Sequence, residues 1–580
     1  MHFSLILHSK TKADAIVPVF FMYIRINFIH QKIRTKQKMK MKKFYTMLLL
    51  AAATCGTASA QYQLPNSGFE EWETVTYNGK TGEEPVKWSS FLDGSEGILG
   101  SSKLKSTAGV SQMEKSSDVK HGGNYCAKIW NREINAVIVK AQAQGNITTG
   151  CINMGSITAT DATGNFNYVG YSDNTREDQN AKFKGRPDAI KFWVKFKGSK
   201  DYGNASVYLL TDGYYQDPDA GSNTKQNNTI QGRLTAKKVA HAKNGTIKSL
   251  DSWQEVTIPF TYYDDAAVPT QVLASFSTCA TAGGGANGDE MYLDDIVMVY
   301  NSELETAKYN DAAVTFTDGK AIVDAEYEEN LLSLTSNGRA ATIEKSFNAA
   351  TGVLTITVKG DNISEDASNF HTYTIKFKAT ATMSVSAAAG WGTFCAPFNV
   401  DVPAGAVAYT VTKVSENGVL TTNRLPPTTL GSRIVTIPAN TPVVLSATKD
   451  INANFKGTAV EDTPVNGYLT GVYVDTPAPV GSYVLQNQSD GVGFYLVEDV
   501  QPTIKANRCY LTLPAGSNCR ALFFDESDFV TALDNAIIVD EPEAAYDLQG
   551  RRVYPEHQSK GVNVAGQKGM LIIGGRKVIK

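Results

Sequence analysis

The sequence predicts an all-β protein built from several domains in series. Its 580 residues are several times the length of one domain. Beyond residue 60, apolar and polar side chains alternate with period two, and sustained helical stripes are rare. The clearest case has Ile190, Phe192, Val194 and Phe196 alternating with Lys191, Trp193 and Lys195. Because this period is typical of half-buried strands, we expect jelly-roll or other β-sandwich domains.

Composition and charge exclude several classes of protein. Hydrophobic residues make up 42% and charged residues 19% of the chain, with 48 Gly and 20 Pro. These values are ordinary for folded domains and exclude collagen-like, coiled-coil and wholly disordered chains. Residues 1–60 carry ten Lys and Arg and one Asp, which leaves 45 basic and 57 acidic residues and a net charge of −12 beyond them. We therefore expect no nucleic-acid partner.

Residues 39–60 have the order of a secretory signal peptide. Lys42 and Lys43 precede an apolar run from Phe44 to Ala53, and Ala58-Ser59-Ala60 forms a small-residue cleavage site. We expect cleavage after Ala60 and a secreted or cell-surface protein. Residues 1–38 are then best explained by a start codon assigned too far upstream, with Met39 or Met41 as the start.

Two alternatives for this region have less support in the sequence. An uncleaved anchor from Ile16 to Ile24 is interrupted by Pro18 and followed by Arg25. A lipidated Cys55 lacks the usual Leu three residues before it and the small residue just before it. No later stretch approaches the roughly 20 apolar residues of a membrane helix, so we expect no transmembrane segment.

Cysteine and histidine usage gives no metal or redox motif. Six cysteines follow residue 60, namely Cys126, Cys151, Cys279, Cys395, Cys509 and Cys519. Export would permit disulfides, but six cysteines allow 15 pairings and the sequence selects none. There is no C-x-x-C or H-E-x-x-H, and the four remaining histidines lie far apart. Catalytic zinc is not expected.

Composition and turn residues divide the chain beyond the signal peptide into four segments. Residues 61–300 contain five of the six tryptophans and form the first expected domain. Residues 301–380 form a small immunoglobulin-like module of about five strands, and residues 381–535 form a β-rich module. After an acidic linker at 540–543, residues 544–580 form a basic tail with two or three short strands.

Local signals add detail to the two middle modules. Asn337-Gly338 and the connection from Asn348 to Gly352 are hairpin signals. In the third segment, the phrase at 437–445 (IPANTPVVL) is similar to the phrase at 504–511 (IKANRCYL). We interpret this similarity as a faint internal repeat.

The first domain resembles a known family. The phrases that carry the resemblance are Asn66–Trp72, Pro85–Trp88, His121–Tyr125, Thr148–Gly150, Phe192–Phe196, Trp253–Tyr262 and Leu293–Ile296. In this order, over about 240 residues, they are similar to the putative carbohydrate metabolism domain (PCMD) family. The resemblance implies a jelly-roll sandwich related in shape to carbohydrate-binding modules. It supplies no catalytic residues.

The tail resembles the carboxy-terminal sorting modules of proteins exported by the type IX route. The similar phrases are Tyr546–Val553, Gly561-Val562 and Gly574–Val578. Where such modules have an aromatic phrase, this chain has Val562-Asn563-Val564. The resemblance implies export or surface-attachment machinery as a partner, and the departure also allows a plain terminal β-module.

Four residues are candidate ligands for a structural calcium ion. Asn66 and Glu70 lie at the start of the expected sandwich, and Asp294 and Asp295 lie at its end. First and last strands of a jelly roll are neighbours, and calcium prefers several carboxylate and carbonyl oxygens. The alternative is that these carboxylates only cap strand ends and pair with lysines.

Five residues are candidate glycan-binding groups, because sugars offer hydroxyl edges and apolar faces to aromatic rings and polar partners. They are Trp130, Arg132, Trp193, Tyr214 and Tyr215, the last two in a loop-like context. Trp193 projects from the face opposite Phe192. Ordinary packing is the alternative for each ring. Trp72, Trp88 and Trp253 are assigned to the core.

The leading function is therefore recognition of a polysaccharide or oligosaccharide. One alternative is a glycoside hydrolase or lyase that uses paired carboxylates, for which Glu70/Glu71, Glu177/Asp178 and Asp289/Glu290 are candidates. Another is a surface adhesin or structural protein that binds a protein partner. The catalytic residues of any enzyme stay unassigned.

Overall fold

The protein is described by a computed structural model. It describes residues 62–77, 80–96, 111–136, 139–154, 156, 158–170, 181–219, 224–226, 229–232, 234–415, 417–428, 434–460, 467–513, 519–524, 545–546, 570–573 and 576–579. The predicted upstream extension, the signal peptide, the acidic linker, and the candidate carboxylates Glu177 and Asp178 lie outside these residues.

Strands make up nearly all regular structure in the described ranges. The only helices there are two 3-10 turns, Phe91–Asp93 and Glu329–Leu331. The all-β prediction is therefore confirmed. Within the same ranges, no helix has the length and apolar character needed to cross a bilayer.

The described residues of the first domain form twenty strands: β1 (Trp72–Tyr77), β2 (Lys80–Pro85), β3 (Ser95–Glu96), β4 (Met113–Ser116), β5 (Cys126–Trp130), β6 (Arg132–Ala136), β7 (Val139–Ala143), β8 (Asn146–Thr148), β9 (Cys151–Met154), β10 (Asn165–Val169), β11 (Ala189–Lys197), β12 (Gly203–Leu210), β13 (Tyr215–Asp217), β14 (Thr224–Gln226), β15 (Thr229–Gly232), β16 (Lys238–Ile247), β17 (Leu250–Pro259), β18 (Thr261–Tyr262), β19 (Gln271–Ser277) and β20 (Glu290–Val299). The front sheet has the order β17-β11-β20-β5-β4, and the back sheet has the order β18-β16-β12-β19-β8.

The two five-stranded sheets enclose the core, as a β-sandwich requires. The predicted inward set of β11 (Ile190, Phe192, Val194, Phe196) is fully buried, and Lys191, Trp193 and Lys195 are only half-buried. Phe192 contacts Phe276 of the opposite sheet edge to face, with ring centres 5.1 Å apart. Each such side chain contributes about 1.5–3 kcal/mol of burial free energy. The alternation in the sequence thus specified the faces correctly.

A third layer covers part of the outer face of the back sheet. It is a four-stranded sheet of order β13-β10-β9-β3. Tyr215 of β13 and Val169 of β10 are buried against Tyr208 of β12 and Leu273 of β19. Residues of β9, β10 and β13 in this layer also line the cavity described below.

The second module has seven strands rather than about five: β21 (Leu304–Tyr309), β22 (Ala312–Ala313), β23 (Lys320–Ile322), β24 (Leu332–Ser336), β25 (Thr342–Asn348), β26 (Val353–Lys359) and β27 (Phe370–Lys376). They form sheets of three and four strands. The predicted hairpin from Asn348 to Gly352 is confirmed, since it joins the antiparallel strands β25 and β26.

The predicted hairpin at Asn337-Gly338 is wrong. Its flanking strands, β24 and β25, belong to different sheets. The glycine is needed there for a different reason: a Cβ atom on Gly338 would lie 2.0 Å from the carbonyl oxygen of Asn301. The small residue permits a close backbone approach where the first two modules meet.

The third segment is a two-fold duplication around one strand. Its strands are β28 (Lys378–Val385), β29 (Trp391–Phe394), β30 (Val400–Asp401), β31 (Ala406–Val414), β32 (Val419–Arg424), β33 (Thr436–Ile437), β34 (Val443–Ala447), β35 (Ile451–Thr458), β36 (Leu469–Val472), β37 (Thr476–Pro477), β38 (Tyr483–Gln488), β39 (Gly491–Leu496), β40 (Thr503–Ile504), β41 (Arg508–Leu511) and β42 (Ala521–Phe524). A nine-stranded sheet runs β29-β34-β31-β32-β42-β39-β38-β41-β36.

The strand order of the two halves corresponds on either side of β42, because β29-β34-β31-β32 matches β36-β41-β38-β39. β42 itself pairs in parallel with β32 and antiparallel with β39. The similar phrases predicted as a repeat occupy equivalent places in the two halves. Asn440 and Asn507 both adopt left-handed backbone conformations, with φ of 59° and 60°. Asparagine tolerates this conformation better than most residues. In the tail, β43 (Ala545–Tyr546), β44 (Met570–Ile573) and β45 (Arg576–Ile579) form one sheet.

Polar contacts fix the second module to the first. The carboxylate of Asp188 accepts hydrogen bonds from the backbone N–H groups of Asn301, at 2.7 Å, and Arg339, at 2.8 Å. The Arg339 guanidinium pairs with Asp265 and lies 4.3 Å from the ring centre of Tyr262. The junction is therefore ordered by specific bonds rather than left as a free linker.

We predict that Asp188→Ala destabilises the full chain by about 1–3 kcal/mol, because two backbone N–H groups lose their acceptor. Chemical denaturation of the purified protein measures the change. Glu305→Ala, an exposed substitution in β21, is the matched control and should be neutral. Equal midpoints for Asp188→Ala and the wild type would show that the junction contributes no stability.

Candidate functional site

A cavity of about 200 Å³ lies beside the third layer of the first domain. Residues from β7, β8, β9, β10 and β13 line it, together with the 3-10 turn at 91–93 and the loop at 282–283. Its apolar lining includes Phe91, Ile134, Ile152, Met154, Phe166 and Pro218. The volume is below the about 300–1,000 Å³ of pockets for drug-sized ligands and suits one small unit, such as a sugar ring.

Three amide side chains bring unused hydrogen-bonding atoms to this cavity. Gln142, Gln144 and Asn146 alternate along the chain, so an extended backbone directs them to one side. The Gln142 Nε2, Gln144 Oε1 and Asn146 Oδ1 atoms are buried and have no hydrogen-bond partner. A buried polar atom in this state costs about 1–3 kcal/mol, which a bound hydroxyl group would recover.

Other amides fix the wall around these three. The Asn146 Nδ2 atom donates to the Oδ1 atom of Asn167 at 2.8 Å. Asn165 accepts from the Ser156 N–H at 3.1 Å and donates to the Thr158 carbonyl at 2.9 Å. Because these bonds hold the loop before β10 in place, the cavity wall is organised before any ligand arrives.

Asp217 is the only carboxylate among the described residues that line the cavity. It accepts hydrogen bonds from the hydroxyl groups of Ser206, at 2.8 Å, and Tyr208, at 3.1 Å. Its Oδ1 atom also lies 3.3 Å from the Lys243 Nζ atom. These three donors hold the carboxylate in one orientation at the edge of the cavity.

The structure brings the predicted calcium ligands to one end of the sandwich. The N–H of Ile296 donates to the carbonyl of Ser67 at 3.0 Å, which joins the first loop to β20. The segment from His121 to Tyr125 lies between Glu70 on one side and Asp294 on the other. The expected proximity of the two ends of the domain is therefore present.

These carboxylates are engaged by N–H donors from that segment. Glu70 accepts from the N–H groups of Asn124, at 2.7 Å, and Tyr125, at 3.3 Å. Burial raises the pKa of Glu70, but these bonds outweigh it and hold the pKa below its usual value. Asp294 accepts from His121 and Gly122, yet burial dominates and raises its pKa.

The side chains of the predicted calcium ligands make local hydrogen bonds. The Asn66 amide bonds the backbone of Glu71. Glu70 and Asp294 accept backbone N–H groups, as described above. In the described part of the chain, no three His, Cys, Asp or Glu side chains are grouped to hold a metal ion. Calcium binding by Asn66, Glu70, Asp294 and Asp295 stays a prediction.

Trp193 lies on the outer face of the front sheet, as predicted, but one face of its ring is covered. The His121 ring stacks on it with centres 3.9 Å apart and planes 13° apart. Asp295 holds His121 through an Nδ1–Oδ2 contact of 2.7 Å. Trp253 is also half-buried at this place, 5.7 Å from His121, so its assignment to the core is wrong. Trp88 is fully buried, as predicted.

The predicted loop position is wrong for Tyr215, which begins β13, whereas Tyr214 precedes that strand. Tyr214 is 7% exposed and Tyr215 is 1% exposed. The Tyr214 hydroxyl donates to Gln216, and the Tyr215 ring packs 4.9 Å from Tyr208. They are buried because β13 joins the third layer, so neither ring is presented at the surface.

Trp130 and Arg132 lie at the end of β5 and the start of β6. The Trp130 ring has the Lys128 ammonium 5.8 Å from its centre, and burial lowers the pKa of Arg132. The five predicted binding residues thus lie in three parts of the domain: Trp130 and Arg132 at the β5–β6 connection, Trp193 on the front sheet, and Tyr214 and Tyr215 in the third layer. The amides at the cavity were missed, although the period-two phrases at 142–146 and 165–167 carry a signal for them.

Comparisons with known proteins show weak likenesses only. No protein-family model matches the chain, and no curated protein matches it. A putative glycoside hydrolase from Bacteroides thetaiotaomicron is 14% identical over 42% of this chain and 73% of its own, with a TM-score of 0.27. A putative glycoside hydrolase from Bacteroides vulgatus is 17% identical over 42% of this chain and 99% of its own length, with a TM-score of 0.28. The resemblances to the PCMD family and to sorting modules stay predictions.

If Glu70 and Asp294 hold a structural calcium ion, the protein should melt at a higher temperature in millimolar calcium than in EDTA, because a ligand that binds only the folded state stabilises it. Thermal denaturation followed by circular dichroism measures this, and Glu70→Gln should abolish the difference. Equal melting temperatures for the wild-type protein in calcium and in EDTA would contradict the predicted site.

Proposed function

We propose that the first domain binds a glycan, with one sugar unit in the cavity beside the third layer. The observation that carries this proposal is the set of three amide atoms, on Gln142, Gln144 and Asn146, that are buried there without partners. They include both nitrogen and oxygen, so the wall can donate to and accept from a ligand. A sugar hydroxyl is a group that does both.

The apolar part of the lining supports the same class of ligand. A sugar ring has C–H faces as well as hydroxyl edges, and aromatic side chains pack against such faces. Phe91 and Phe166 lie in the lining together with Met154. A few convergent polar groups in a mostly apolar pocket are typical of small-molecule recognition.

Binding is favoured over hydrolysis by paired carboxylates. A glycosidase of that kind needs two carboxyl groups about 5–9.5 Å apart across the sugar. Among the described lining residues Asp217 stands alone, and three donors hold it in place. The hydrolase or lyase therefore remains an alternative for the test below, as does an adhesin with a protein partner.

Export to the cell surface and attachment through the tail belong to the same proposal. The signal-peptide pattern at 39–60 and the sorting-like phrases after Tyr546 support them. A surface location would give a binding domain access to polysaccharides outside the cell.

The experiment is a binding screen of the purified protein against arrayed polysaccharides, with release of reducing ends measured in the same wells. We expect binding without release. For the glycan found, Gln144→Ala should weaken affinity about 2- to 10-fold, as expected for one lost hydrogen bond. Isothermal titration calorimetry measures the change.

Gln254→Ala is the matched control, because this glutamine lies on β17 and bonds the Lys248 carbonyl far from the cavity. It should leave affinity unchanged. Release of reducing ends would support the hydrolase. Absence of both glycan binding and reducing-end release would favour the adhesin. Equal losses in both variants would contradict the assignment of the cavity.

A further inference from the structure

Two lysines of β16 lie next to the cavity, on the outer face of the back sheet. Lys243 connects them to it, since its Nζ atom is 3.3 Å from the Oδ1 atom of Asp217. The same ammonium group is 4.7 Å from the ring centre of Tyr208. Asp217 therefore belongs both to the cavity wall and to a cationic, aromatic cluster, which consists of Lys238, Lys243, Tyr208, Tyr215, His241 and Tyr263.

Lys238 is the cation of this cluster that lacks a carboxylate partner. Its Nζ atom lies 5.9, 5.8 and 5.9 Å from the ring centres of Tyr208, Tyr215 and Tyr263. No ion pair among the described residues includes Lys238. Aromatic faces attract an ammonium group but carry no net charge, so they leave its charge intact. Lys238 can still pair with an anion.

The neighbouring His241 supports a positive potential at this place. Its ring stacks on Tyr263, with centres 5.2 Å apart. Burial lowers the pKa of His241, and the charges of Lys243 and Lys238 lower it further. The Nδ1 atom of His241 is buried without a hydrogen-bond partner. Both lysines thus contribute positive charge at His241, although the chain beyond residue 60 has a net charge of −12.

Accessibility completes the arrangement. Tyr263 is 57% exposed, and the Lys243 side chain is 44% exposed. A ligand that occupies the cavity can therefore extend past Asp217 onto this cluster. An anionic group there would find an unpaired ammonium and an exposed ring for stacking.

We propose that Lys238, assisted by Lys243 and Tyr263, forms an anion subsite beside the cavity, and that the glycan bound there carries a uronate carboxylate or a sulfate ester. This inference rests on the proposed function, because the cavity seats the neutral part of the ligand. The carboxylate of Asp217 weakens anion binding at the subsite, because it neutralises Lys243 and repels an anion.

The test compares the purified protein on arrayed neutral polysaccharides (xylan, galactan, mannan), uronate polymers (polygalacturonate, alginate) and sulfated polymers (carrageenan, chondroitin sulfate). We expect binding to one anionic group and a steep loss of binding between low and high salt. Preference for uronates or for sulfates identifies which anion the subsite takes.

Two substitutions test the subsite with opposite signs. Lys238→Gln should weaken binding of the anionic glycan about 10-fold, as expected for a lost charge-assisted contact. Asp217→Asn should strengthen it, because the amide keeps an acceptor for the neighbouring hydroxyls and removes the negative charge. Lys191→Gln is the charge-matched control, because Lys191 and its partner Glu255 both lie on the front sheet, away from the cluster. Melting temperatures verify that each variant folds.

The outcomes separate this inference from the function beneath it. Equal binding of neutral and anionic glycans, unchanged by Lys238→Gln but weakened by Gln144→Ala, would overturn the anion subsite and leave the glycan site intact. Weaker binding for both Lys238→Gln and Asp217→Asn would show a merely structural role and also overturn it. Failure of every glycan to bind would overturn the proposed function and this inference together.

Discussion

The free-energy cost of a buried polar atom without a partner governs the arrangement of the first domain. Most of its buried amides avoid that cost: Gln271 donates to the carbonyls of Thr211 and Gly213. Gln144 and Asn146 do not, and both face the same cavity. Together with Gln142, they place three unpaired amide atoms around one concave place, which leaves hydrogen-bonding capacity there. The third layer is what makes that place concave.

The parts of the fold that depend on local pattern were predictable, and the parts that depend on distant pairing were not. Alternation along β11 gave both its strand character and its buried face. Asn337-Gly338 has the composition of a hairpin turn. It lies instead where the chain passes close to the backbone of Asn301, at the junction of two modules. Composition cannot distinguish these cases, because the atom that requires the glycine is 37 residues away in sequence.

The same distinction explains the site. The two ends of the sandwich meet as expected near Glu70 and Asp294, but a segment at 121–125 fills the space between them with N–H donors. The strand that begins at Tyr215 was not predicted, because it has only three residues and such a short strand leaves little periodic signal. The amides at 142–146 did carry such a signal. Polar alternation is also typical of solvent-facing strands, so only the covering layer reveals their role.

The cavity and the junction between the first two modules use different residues. The cavity uses residues from 91 to 218 and the loop at 282–283, whereas the junction with the second module uses Asp188, Asp265 and Asn301. None of the described residues of the later modules lines the cavity. The bonds to Asp188 therefore fix the second module to the first without contributing to the cavity wall. The proposed binding site and the inter-module junction are thus physically separate in the described part of the chain.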